Sequence, residues 1–271
     1  MRQIDQGTVI YGIRSDKYPG IRCFGIIITA SCDIAQDKVG KLYYLLAADA
    51  KDWFCSRSAY SQVYLTKIQN LKKNFADVAF KCALNPEFLQ DFTREELIHI
   101  IETEVQEANM RKKIISAYDN LAAFYAPEMS AESIKAAIKA DGKPIETFLS
   151  QIDRGQILHY YYLPQTAYMP NERRDAGLII DLQEIGYLTL GDACRIDSEG
   201  IDYLNLPLEG KEKERLIKQF WLESKDDFVE IEGSIKPPWR EHLMQRFSHG
   251  FIRIGLNGAT KADYTSLVSS I

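Results

Sequence analysis

The amino-acid sequence predicts an α+β fold: a small β-barrel interrupted by a helical insertion, with a C-terminal helix packed on the barrel. Three observations carry this reading. Short runs of β-formers fill roughly the first 50 residues. From about Ser58 to Asp153 the apolar spacing changes to a helical period. Strand character then returns at Ile157. The strands on either side would pair across the helical block, because inserting residues into a surface loop costs little chain entropy. The expected boundaries are a discontinuous β-domain at 1–57 and 157–271 and an insertion at 58–156.

The N-terminal strands are justified first. Gly7 to Ile13 is a β-branched and aromatic run, and Pro19-Gly20 after it is a strong turn signal. Cys23 to Ala30 is continuously apolar, which suits a strand buried on both faces. Cys32 to Gly40 is polar and reads as a loop, and Leu42 to Leu46 reads as a third strand.

Within the helical block, Tyr64, Ile68, Leu71 and Phe75 fall on one helical face. Thr93 and Glu96 form a capping box before Leu97, Ile101 and Val105. Ile114, Tyr118, Leu121 and Tyr125 mark another face, and Ser130 caps a helix carrying Ile134 and Ile138. After the block, Ile157 to Leu163 and Gly177 to Asp181 read as strands, with a polar turn over Asn171 to Asp175. Lys211 to Ser224 reads as a charged helix and Phe228 to Glu232 as an alternating strand. Pro238 starts a last helix with Trp239, Leu243 and Phe247 on one stripe and Gly250 as its C-cap.

Composition bounds the function. The 271 residues are 46% hydrophobic and carry a net charge of −5, which excludes global disorder and argues against a protein built mainly to neutralise phosphates, while leaving room for a local basic patch. No apolar run is long enough to cross a membrane, and no apolar segment follows the N-terminus as in a signal peptide. Five cysteines without regular spacing fit a reducing cytoplasm better than a disulfide scaffold. Neither cysteine nor histidine spacing suits zinc, so no metal site is expected. Phosphate-loop, dinucleotide and serine-hydrolase motifs do not occur, and no cofactor is expected.

Gly7-Thr8-Val9-Ile10, then Arg22 with Phe24 to Thr29, resemble the opening of the PemK/MazF-like SH3-like β-barrel. Leu178 to Ile185 is similar to that family's late strand running into a short helical turn. The resemblance spans about 60 residues. Cys23 stands where the family has proline, and no clear counterpart of the family's second catalytic residue follows the third strand. The resemblance implies that Arg22 stabilises a phosphoryl transition state, with Thr29 or Ser31 assisting. Ser31-Cys32-Asp33-Ile34-Ala35, His159 to Pro164 and Pro238 to Leu243 with Arg246 and Arg253 resemble a class of bacterial mobile-element and phage-defence proteins.

Other residues carry a functional and a structural reading side by side. Cys32 and Asp33 close a buried strand, where a base such as His159 could activate the thiol; the structural reading is an Asp that starts a turn. Tyr161 in the run at 160–162 lines either the core or a groove. Arg240, Arg246 and Arg253 contact an anion or lock elements together. Lys67, Lys72, Lys73 and Lys81 lie near Tyr60, Tyr64 and Phe75, as a base-stacking patch or a solvated face.

Two function classes follow. In the first, the protein is a partner-binding component of a bacterial conflict or anti-phage defence module. Its barrel takes a protein or nucleic-acid ligand, RNA or DNA, and its insertion docks another protein of the module. In the second, it is a divergent PemK/MazF-like endoribonuclease. A cysteine hydrolase on Cys32 and His159 is a third, and a homodimer would cover an exposed sheet edge.

Overall fold

The fold of the computed structural model is α+β. Residues 4–36, 38–89, 92–125, 129–168, 177–206, 210–220 and 222–255 are described, without the side chains of Asn205 and residues 251–255. The expected turn at Asn171–Asp175 lies outside them. The strands are β1 (Thr8–Ile13), β2 (Cys23–Ile27), β3 (Lys41–Asp49), β4 (Tyr160–Leu163), β5 (Leu178–Thr189), β6 (Ile201–Asp202) and β7 (Phe228–Ser234). They form one open, antiparallel, seven-stranded sheet in the order β4-β5-β3-β2-β1-β7-β6.

Helices α1 (Ser31–Ala35), α2 (Ala50–Cys55), α3 (Arg57–Val63), α4 (Leu65–Lys81), α5 (Pro86–Leu89) and α6 (Arg94–Glu104) follow chain order. They continue with α7 (Ala108–Ala122), α8 (Ala131–Ala140), α9 (Lys143–Asp153), α10 (Leu190–Ser198), α11 (Lys211–Phe220) and α12 (Trp239–Gly255). The chain divides into two compact units, one of residues 1–53 with 151–271 and one of residues 54–150.

In the first unit, side chains alternate across each strand and give the sheet two faces. Val9, Phe24, Ile26, Leu45, Ala47, Tyr161 and Ile180 share one core, closed by Leu243 of α12. Trp239, Met244 and Phe247 pack against the same core. Leu243 is wholly buried, a contact worth about 2 kcal/mol. Ile10, Cys23, Ile27 and Leu46 are buried as well, so the central strands are covered on both sides. An isolated antiparallel bridge joins Tyr168, after β4, to Ile235, after β7, and Lys236 N donates to Ala167 O at 2.8 Å.

Three details differ from the sequence reading. The polar segment after β2 begins with α1, a helix too short to show a period, anchored by buried Ile34. β5 continues through Ile185 to Thr189 instead of entering a helical turn. Its register against β3 jumps from Leu46↔Asp181 to Leu45↔Ile185, and the Asp181 carboxylate accepts from Gln183 N at 3.0 Å within that bulge. Gly250 lies inside α12, where glycine costs about 1 kcal/mol without ending the helix.

Thr189 caps α10, accepting from Asp192 N at 3.1 Å. The buried Asp192 carboxylate takes both Arg215 nitrogens, at 2.9 and 2.6 Å, and the Thr189 hydroxyl at 2.6 Å. Burial alone would raise its pKa, but the Arg215 and Thr189 hydrogen bonds outweigh it and hold the carboxyl below the usual range. The ion pair therefore stabilises fully above the ordinary value of 3.8 and is lost as pH falls through the lower folded-state value. Urea unfolding at pH 7 and pH 3 is expected to show a smaller acid loss for Asp192→Asn than for the wild type. An equal loss would remove this pair from the acid lability.

The second unit holds two cores. Phe75, Ala79, Leu97, Ile101, Ile114 and Leu121 join α4, α6 and α7. Tyr60, Tyr64, Ile68, Phe124 and Ile134 form the other, with Tyr60 and Tyr64 stacked at 4.4 Å. The capping box of α6 is formed by Thr93 and Glu96.

Candidate functional site

The residues that converge most clearly lie where the chain after α9 meets α12. The turn ends with Gly155 N donating to Ile152 O at 2.9 Å, and Gly155 has φ +69°. A side chain there would be strained and would meet Arg246 Nη1 at 2.6 Å. Arg246 itself donates to Ile152 O. On α12, His242, Arg246, His249 and Gly250 recur at helical spacing. Opposite them stand Leu158, Tyr160 and Leu182, with Leu182 N donating to His159 O at 2.8 Å.

Gly155, Leu158, Tyr160, Leu182 and Gly250 line, with Arg154, Arg246 and His249, a cleft of about 180 Å³. No carboxylate lines it among the described residues. Beside it the Tyr161 hydroxyl and His242 Nδ1 are 3.0 Å apart. Burial pushes the Tyr161 phenol up to about 12, against the opposing charge of Arg246. The cleft can receive an anion, and its size suits a phosphoryl group better than a drug-sized molecule, for which pockets run about 300–1,000 Å³.

Farther along β5 lies an exposed aromatic shelf. Tyr43 and Tyr187 are paired in register, with ring centroids 6.5 Å apart. Lys41 Nζ sits 3.8 Å from the Tyr187 ring centre, and Ile185 is exposed beside them.

The other candidates fall elsewhere. Arg22 pairs with the buried carboxylate of Asp227 and lies 5.4 Å over the Phe228 ring. Asp227 also receives Arg14 at 3.1 Å and the amides of Glu223 and Ser224 at 2.7 Å each. Arg22 precedes β2 whereas Thr29 and Ser31 follow it, so about 20 Å of extended chain separates them. Thr29 Oγ1 accepts from Tyr43 N at 2.8 Å. Cys32 is exposed, 3.7 Å from the Asp33 carboxylate. The exposed His159 precedes β4, and β3 and β5 stand between β2 and β4, so the sheet does not bring Cys32 and His159 together. Tyr161 is buried in the core. Arg240 pairs with Glu241 at 2.8 Å, and its stem lies over Gly7. The Arg253 side chain lies outside the described residues.

The sequence reading found Arg246 but missed Arg154. The available signal was Gly155, a helix-ending glycine that places its neighbour beside the next element. A second missed group is Asp181, which accepts from the Tyr18 hydroxyl and pairs with Lys17 Nζ, each at 2.7 Å. Among the described residues no group of three His, Cys, Asp or Glu is placed to hold a metal ion. Comparison with protein-family models, curated proteins and solved structures returns no match.

Proposed function

We propose that the first unit is a non-catalytic binding module for a nucleic-acid strand. A phosphate sits in the cleft of Arg154, Arg246 and His249, and bases rest on Tyr43 and Tyr187. The observation that carries this reading is the convergence of those three basic side chains on a cleft that no carboxylate lines among the described residues. The shelf supports it, since base–aromatic stacking tolerates any sequence. The neighbour order β7-β1-β2-β3-β5, with the Tyr168–Ile235 bridge, supports a curled SH3-like barrel as its frame. The sequence resemblance supports a place as the recognition component of a bacterial conflict or anti-phage defence module.

The test is fluorescence anisotropy of a labelled single-stranded RNA oligonucleotide across a salt series. Arg154→Gln changes an exposed side chain and is expected to leave the fold intact. It is expected to weaken binding about five- to tenfold and to reduce the slope of log affinity against log salt by roughly 0.7. Arg246→Gln is expected to weaken it further. An unchanged affinity and salt slope in Arg154→Gln would remove the cleft from the binding surface.

The endoribonuclease reading keeps one supporting feature, the sequence resemblance around Arg22. It predicts cleavage of the same oligonucleotide, whereas the binding reading predicts that it stays intact.

A further inference from the structure

We propose that the helical unit carries a docking groove for an acidic amphipathic helix of another protein. On α4, Lys72, Lys73, Ala76 and Phe80 lie along one shoulder at helical spacing. With Ala83, Leu84 and Pro86 they line an open groove of about 840 Å³. Phe80 is 66% exposed, and Phe88 beyond the groove is 58% exposed, unusual for phenylalanines on a finished surface.

The end of α4 adds an independent sign. Leu84 N donates to Ala79 O and Ala83 N to Phe80 O, both at 3.0 Å, which is the Schellman pattern. Its left-handed position, φ 59°, is occupied by Ala83 where glycine is favoured. The alanine contributes a methyl to the groove at a conformational cost.

Charge and packing select the occupant. Two lysines rim the α4 side and Glu87 the opposite wall, which suits a partner helix whose carboxylates face α4 and whose apolar residues seat on Ala76, Phe80 and Leu84. A nucleic acid fits less well. Tyr60, Tyr64 and Phe75 are buried and cannot stack bases, and the groove between its two ends is lined mainly by Ala76, Ala83, Leu84 and Pro86, which offer bases no side-chain hydrogen-bond partner. A second copy fits less well too. The apolar stripes of α6, α7 and α8 are consumed by their own cores, and a two-fold contact through this face would gather four lysines.

The probe is a labelled helical peptide of about 18 residues, five turns long, with leucines at i, i+3, i+4 and i+7 and glutamates elsewhere. A counterpart carries lysines in place of the glutamates. Anisotropy with the full chain is expected to show the acidic peptide at least tenfold tighter. Phe80→Ala and Lys73→Glu are each expected to weaken it about tenfold. Ala83→Gly is expected to raise the melting temperature by about 2 °C, since it relieves the left-handed alanine, and yet weaken the peptide about threefold. Equal affinity of the two peptides, or indifference to Phe80→Ala, overturns the proposal. So does displacement of the peptide by single-stranded RNA, or a concentration-dependent dimer that Phe80→Asp abolishes. The nucleic-acid reading of the other unit stands or falls apart from these outcomes.

Discussion

Arg22→Ala is expected to lower the unfolding free energy by about 2–3 kcal/mol without abolishing any turnover of RNA. The Arg22 side chain is 18% exposed and that of its partner Asp227 4% exposed, so the pair sits largely out of water. Deleting one member leaves Asp227 with Arg14 and two backbone amides, a partial compensation that keeps the cost below the 3–5 kcal/mol of an emptied buried pair. Loss of the contact over Phe228, with Tyr11 nearby at 6.0 Å, adds roughly 0.5–1 kcal/mol. Arg22→Lys should recover little, since a point charge cannot both stack and reach the carboxylate. Urea denaturation and an RNA cleavage assay on the same preparations decide the matter. Cleavage by the wild type that disappears in Arg22→Ala at unchanged stability would make this arginine catalytic.

The arginine also shows where the sequence is readable and where it is not. Periodicity and capping are local, so the box at Thr93 and Glu96, the stripe of Trp239, Leu243 and Phe247, and the two-sided burial of β2 were legible from spacing alone. The helix at Ser31–Ala35 was not, because five residues held by one buried isoleucine carry no period. Nor was the continuation of β5, which depends on a bulge closed by the Asp181 side chain. The site divides in the same way. Arg246 stood out as a cation on an amphipathic helix, but its role depends on meeting Gly155 about 90 residues away, a separation no local pattern encodes. Arg22 was singled out by a family pattern. What it binds, Asp227, lies on the far side of the sequence, and only the pairing of β1 with β7 brings the two together.

At the end of that pairing Gly12 lets β1 approach Phe228 closely, and Gly12→Ala is expected to cost about 3–4 kcal/mol, the largest single effect in the first unit. Gly12 has φ +98°, where an L side chain is strained, and it sits where the register of β1 against β2 shifts. A Cβ there would collide with the carbonyl oxygen of Phe228, and a backbone oxygen cannot swing aside as a flexible side chain can. The strain would be relieved only by moving β7 away from β1. Asp227 and Phe228 lie at the start of β7, so the same movement would draw both off Arg22. The two substitutions should therefore be coupled: the double variant Gly12→Ala, Arg22→Ala is expected to lose at least 1 kcal/mol less than the sum of its parts. A double-mutant cycle by urea unfolding measures this directly, with Gly20→Ala as the control, since Gly20 also has positive φ, +78°, but nothing lies within 4 Å of its added Cβ. Simple additivity of Gly12 and Arg22 would mean that the β1–β7 contact and the Arg22–Asp227 pair hold independently, and that Arg22 is positioned by something other than the close approach Gly12 permits.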